Sequence, residues 1–187
     1  MTKTLLITYF GPFPGVSVNP SGVTARQVAD VLADESAVRV VTREVPVSYA
    51  GSSEALGEML TDIRPDAVLS LGVAVAINLD SADIEDNDGV VRVDEAIAPE
   101  GREAYFSTLP VRASYERLRG VGLPVEISYT AGTYVCNHVF YEVHRILERQ
   151  GRRIPAGFVH IPATRGDNVY CACRCWGSRE QLGADSA

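Results

Sequence analysis

The chain has 187 residues, 46% hydrophobic and 22% charged, with a net charge of −7, the profile of one globular domain with a sizeable core. This balance argues against a nucleic-acid partner, which needs a clustered basic face, and no apolar run reaches the ~18 residues that span a bilayer. No signal-peptide cleavage pattern follows the first residues, so the expected location is cytoplasmic, without membrane association.

Residues 4–10 read as a buried strand, closed by a Gly/Pro-rich turn over residues 11–15. Asn19-Pro20-Ser21 supplies the start of a helix over residues 21–34. A β-branched strand at 38–47 and a helix at 54–63 come next, the helix with Leu56, Met59, Leu60 and Ile63 on one face. Residues 66–73 form a third apolar strand. Residues 74–108 are mixed, with acidic and Gly turns and one extended piece at 90–93. A helix at 110–119, a strand at 125–129, a strong helix at 137–150 and a last strand at 156–161 complete the pattern. The Arg-rich stretches at 112–119 and 145–153 are interleaved with Glu and read as solvated helix faces.

Strands separated by helices predict an α/β domain: a three-layer α/β/α sandwich with a twisted, mostly parallel central sheet. Residues 1–162 carry this pattern. Residues 163–187 lose it and form a divergent tail, in which Arg165, Arg174 and Arg179 accompany Cys171, Cys173 and Cys175. That composition is foreign to the rest of the chain and raises an altered reading frame as a hypothesis. The three clustered cysteines match no structural zinc spacing, so no metal site is expected.

Ligand sites in open α/β sheets gather beyond the carboxyl ends of the strands, which selects residues 10–15, 72–76, 130–137 and His160. Cys136 stands between a strand pattern and the strongest helix. A helix N-terminus stabilises a thiolate, the nucleophilic form, and its N–H groups suit an oxyanion. On local pattern alone a buried structural cysteine is an equal reading. Of the three histidines, His138 lies on another side of the same helix and His144 reads as a surface or last-turn residue. His160, ending a strand, is the best base for Cys136. Phe10 and Phe13, on a Gly/Pro turn, could form a flat apolar pocket or simply pack the core.

These segments together resemble the pyrrolidone carboxyl peptidase (pyroglutamyl peptidase type I) family of cysteine peptidases. The resemblance rests on Leu6-Ile7-Thr8-Tyr9-Phe10-Gly11-Pro12-Phe13-Pro14-Gly15 with Val18-Asn19-Pro20-Ser21, on Val75-Ala76-Ile77-Asn78 through Asp86-Asn87-Asp88-Gly89, and on Tyr105-Phe106-Ser107-Thr108-Leu109-Pro110. Two further segments carry it: Ser128-Tyr129-Thr130-Ala131-Gly132-Thr133-Tyr134-Val135-Cys136-Asn137-His138, and Gly157-Phe158-Val159-His160-Ile161-Pro162. It implies a cytosolic thiol protease, often a dimer or tetramer, that removes N-terminal pyroglutamyl residues from peptides through an acyl-enzyme, without metal or organic cofactor. It further implies Cys136 as nucleophile, His160 as base, Phe10 and Phe13 around the lactam ring, and Ile84, Tyr134 and Val135 as further pocket wall.

Two departures from the family pattern stand out. Val73-Ala74 runs directly into Val75-Ala76-Ile77-Asn78, where family members carry roughly ten more residues bearing the triad's glutamate, more than an ordinary loop trim. Asp80, Asp83 and Glu85 are the nearest acids and read as solvated loop carboxylates. The closing helix of the family has no counterpart after Pro162, which would leave part of one sheet face uncovered. An impaired relative that binds pyroglutamyl termini without turnover is therefore the alternative reading.

Overall fold

The computed structural model describes residues 2–12, 18–71, 75–77, 79–82 and 84–161. Among these residues, four parallel strands make the central sheet: β1 (Lys3–Phe10), β2 (Val38–Val45), β3 (Ala67–Ser70) and β8 (Ala156–Phe158), in the order β2-β1-β3-β8. Side chains alternate across a strand, and β1 shows the consequence. Leu5, Ile7 and Tyr9 join a core with Ala25, Val28 and Leu71, whereas Leu6 and Phe10 join the larger core on the other face.

Helix α1 (Pro20–Val31) packs on the first face. Asn19 caps it, accepting from Ser21 N at 3.1 Å, and Pro20 occupies the first turn, where its missing N–H costs nothing. Helices α2 (Tyr49–Asp62) and α4 (Val135–Arg149) cover the second face. Leu56 and Leu60 of α2 meet Val135, Val139, Phe140, Val143 and Leu147 of α4 over Leu6, Val68 and Phe158. The result is three layers, as expected.

Two small antiparallel ribbons flank the sheet: β4 (Val75–Ile77) with β7 (Ala104–Phe106), and β5 (Asp80–Ala82) with β6 (Arg92–Glu95). Helix α3 (Val111–Gly120) buries no residue, as its interleaved charges suggest.

Three expectations shift. Helix α2 begins at Tyr49, not residue 54, because Ser48 accepts from Gly51 N at 3.0 Å and starts the helix through a weakly helix-forming Gly-Ser stretch. Helix α4 begins at Val135, so Cys136 lies inside its first turn. Residues 125–129 are irregular, not a strand. Among the described residues β8 ends the sheet and no ladder receives them, and Tyr129 is 74% exposed. No described helix is long and apolar enough to cross a membrane.

Candidate active site

The register of the sheet aligns the site. Thr8, Ser70 and Phe158 lie in one row across β1, β3 and β8, with Thr8 donating to Ser70 Oγ at 2.7 Å. Phe10 and His160 each follow that row by two residues, so both sit at the carboxyl edge. With strands ~4.8 Å apart, two intervals separate them by about 10 Å. Phe158 and Phe10 belong to the core beneath α4. The His160 ring meets Phe158 edge-on at 5.9 Å, which keeps it on the face that α4 covers. Val159 N donates to Ser70 O at 2.7 Å and holds this exit against β3.

Cys136 is the second residue of α4, partly exposed, and packs with Phe10 and Tyr134 against the same core. Tyr134 is the N-cap but offers no side-chain cap. Cys136 therefore lies at the partially positive end of the helix, an environment that favours anions. Burial lowers the pKa of His160 below the ordinary imidazole value. Its Nε2 is buried without a hydrogen-bond partner among the described residues. A neutral ring near pH 7 is the form that can accept a proton.

The loops near this edge are tied down. Phe10 N donates to Ser21 Oγ at 3.1 Å, Asn19 Nδ2 to Gly11 O at 3.0 Å, and Asn87 Nδ2 to Pro12 O at 3.2 Å. Asp86, 6% exposed, accepts from the backbone N–H groups of Tyr49, Asp88 and Val90, each at 2.9 Å. This closes the turn over residues 86–90, in which Gly89 takes φ +76°. Tyr134 donates its hydroxyl to Glu85 O at 2.9 Å, placing Ile84, 41% exposed, beside the start of α4. Burial raises the pKa of Tyr134, and the charges of Asp86 and Cys136 add to it; the phenol stays a donor. The Val135 side chain is 1% exposed within the core. Phe13 lies outside the described residues, as do Asp83, Cys171, Cys173 and Cys175.

Among the solved structures, pyroglutamyl peptidase I from Bacillus amyloliquefaciens superimposes with a TM-score of 0.82 at 36% identity, over 88% of this chain and 82% of its own. The family model described as pyroglutamyl peptidase matches residues 3–169. The chain belongs to the pyroglutamyl peptidase family. Pyrrolidone-carboxylate peptidases of Clavibacter michiganensis and Bacillus cereus are 42% and 39% identical over 170 residues, covering 85% and 86% of this chain and 78% of each relative. Family membership makes the chain a peptidase of this general type.

Within this member of the family, two expectations about polar residues are corrected. His144 is 8% exposed and stacks on Tyr105 at 5.7 Å, because α4 is covered on both flanks and has no solvent face there. Asp80 is fully buried and bonded to His138 and Arg92, whereas Glu85 is an exposed loop residue. His138, read as a poor base for Cys136, is buried and donates from Nδ1 to Asp80. Nothing local in the sequence marks Asp80. Among the described residues, no group of three His, Cys, Asp or Glu side chains could hold a metal ion, and no carboxylate bonds His160.

Proposed function

We propose that this protein removes N-terminal pyroglutamyl residues from peptides by cysteine acyl transfer. The observation that carries the reading is Cys136 in the first turn of α4, on the sheet edge that also presents Phe10 and His160. The Cys136 thiolate attacks the pyroglutamyl carbonyl carbon, and the resulting oxyanion lies at the positive end of α4. His160 takes the thiol proton and returns it to the leaving amine, so the peptide departs with a free N-terminus. Water, deprotonated by the same imidazole, then cleaves the thioester and releases pyroglutamate.

Phe10, Phe13, Ile84 and Tyr134 are the side chains we assign to the lactam pocket. Val135 supports it from the core, since its side chain is 1% exposed. Flat apolar walls with a few fixed polar groups suit a small lactam ring. The reading needs no cofactor, and it extends to a homo-oligomer, dimer or tetramer, in the cytoplasm, acting without nucleic acid or membrane.

A second reading has its own observation. His160 lacks a bonded carboxylate among the described residues, and loss of the orienting acid in another catalytic triad costs about 10⁴ in kcat. The alternative is a relative that binds pyroglutamyl peptides with little or no turnover. Release of a fluorescent amine from a pyroglutamyl amide, at neutral pH under reducing conditions, separates the two. We expect turnover that disappears in Cys136→Ala. Folded protein that binds a pyroglutamyl dipeptide in calorimetry but releases no amine would establish the second reading.

A further inference from the structure

Three consecutive residues after β4 reach the residues around Cys136. Leu79 O accepts from Asn137 Nδ2 at 2.9 Å. Asp80 Oδ2 accepts from His138 Nδ1 at 2.6 Å. Ser81 N donates to Thr133 O at 2.9 Å, and Ser81 O accepts from Thr133 Oγ1. Strand β5 is thus stitched to the chain on both sides of the cysteine.

The middle link is the demanding one. Asp80 is 0% exposed and His138 2%, and a buried charge is tolerated only when paired and hydrogen-bonded. Oδ2 receives His138 and Arg92 Nη1, the latter at 3.2 Å. Oδ1 has no partner among the described residues, so the carboxylate depends on those two donors. The His138 ring is fixed in turn by Ser53 Oγ at 2.9 Å from Nε2 and by the edge-on Tyr49 ring at 5.3 Å. Arg92 lies 4.7 Å over that same Tyr49 ring.

Ser53, His138 and Asp80 follow the atom order of a hydrolytic relay. Ser53 sits inside α2, however, where neighbouring amides are committed to the helix, and His138 is sealed from solvent. This arrangement has no room for a substrate carbonyl. What it can do is hold the first turn of α4 in place.

We infer that Asp80 and His138 are positioning residues for Cys136, setting the orientation of the thiol by anchoring the first turn of α4 to β5. The inference rests on the reading of Cys136 as nucleophile. It assigns the buried carboxylate a role through α4 rather than through His160.

The bond to Asp80 comes from Nδ1, and the two amide replacements of histidine divide the ring's functions. Asn presents its amide near the Nδ1 position and keeps the donor to Asp80. Gln reaches toward the Nε2 position and keeps only the Ser53 link. The readout is the iodoacetamide alkylation rate of Cys136 in the full chain, followed by peptide mass spectrometry because Cys171, Cys173 and Cys175 also carry thiols. In H138Q, with native circular dichroism, alkylation of Cys136 slows about tenfold as the thiolate loses its fixed place at the helix end. Its kcat falls by a similar factor or more, with KM less affected, as expected for a misplaced reacting group. H138N restores most of the alkylation rate. If H138Q does not fold, D80N carries the same comparison, since it keeps the shape but removes the charge that holds the imidazole N–H.

Alkylation in folded H138Q, or in its D80N substitute, equal to that of the unsubstituted protein would overturn the inference. So would equal slowing in H138N and H138Q, which would assign the effect to ring packing. Alkylation needs no turnover, so slowing in H138Q and recovery in H138N would uphold the inference even in a protein without peptidase activity.

Discussion

Acid sensitivity centred on His144 offers a quantitative test of the core beneath α4. The ring is 8% exposed, stacked on Tyr105 at 5.7 Å and tilted against Phe140 at 5.0 Å, and its Nε2 is buried without a partner among the described residues. Burial pushes its pKa from 6.5 down to about 4. In the unfolded chain the imidazole takes up a proton as pH falls through 6.5, while the folded ring stays neutral until about 4. The unfolded state therefore binds more protons across that window, and stability falls as pH drops. At pH 5 the difference amounts to about 2 kcal/mol relative to neutral pH. For a domain of this size that is a fall in Tm of about 4–8 °C. His144→Phe keeps an aromatic ring between Tyr105 and Phe140 and removes the titration. Urea unfolding of both proteins at pH 7 and pH 5 isolates the effect. Burial also lowers the pKa of His160, but that contribution is common to both proteins and cancels. We expect the unsubstituted protein to lose about 2 kcal/mol more than the variant between the two pH values. An equal loss in both proteins would refute the assignment of a buried neutral imidazole.

Two further predictions concern the same core. Phe158, 5% exposed, stacks with Phe140 at 5.9 Å, meets Phe10 at 6.3 Å and carries His160 on its edge. Phe158→Ala should cost about 3–5 kcal/mol, seen as a large drop in melting temperature; a change below about 1 kcal/mol would mean the site collapses without loss. Glu142 is 2% exposed and paired with Arg145 through Nε–Oε1 at 2.6 Å and Nη2–Oε2 at 2.7 Å. Arg145→Met leaves that carboxylate uncompensated and should cost about 3 kcal/mol in urea unfolding, with Glu142→Leu in the same chain recovering most of the loss.

The alternation of apolar strands and amphipathic helices was legible because each signal is local. Period-two and period-3.6 patterns, with Asn19-Pro20-Ser21 as a helix start, need only neighbouring residues. The start of α2 was misread because Ala50-Gly51-Ser52-Ser53 has little helical propensity, and the Ser48 cap compensates. Residues 125–129 carry strand-like residues but have no ladder partner among the described residues, and pairing is a property of two segments. The same distinction separates individual residues. The placement of Cys136 at a helix start and of His160 just past a strand end could be read from their neighbours. Asp80 and His144 could not, because charge and ring polarity predict exposure unless a partner or cover arrives from elsewhere in the chain.

The sequence by itself determined the layered α/β architecture, the placement of Cys136 at a helix start, and the family resemblance around Cys136. Those depend on residue order, turn chemistry and periodicity, which act over a few residues. Only the tertiary structure decided that Asp80 is enclosed by His138 and Arg92, 58 and 12 residues away, and that His144 is sealed between Tyr105 and Phe140. Burial of a polar group is settled by the groups that meet it in space, and those partners come from distant parts of the chain.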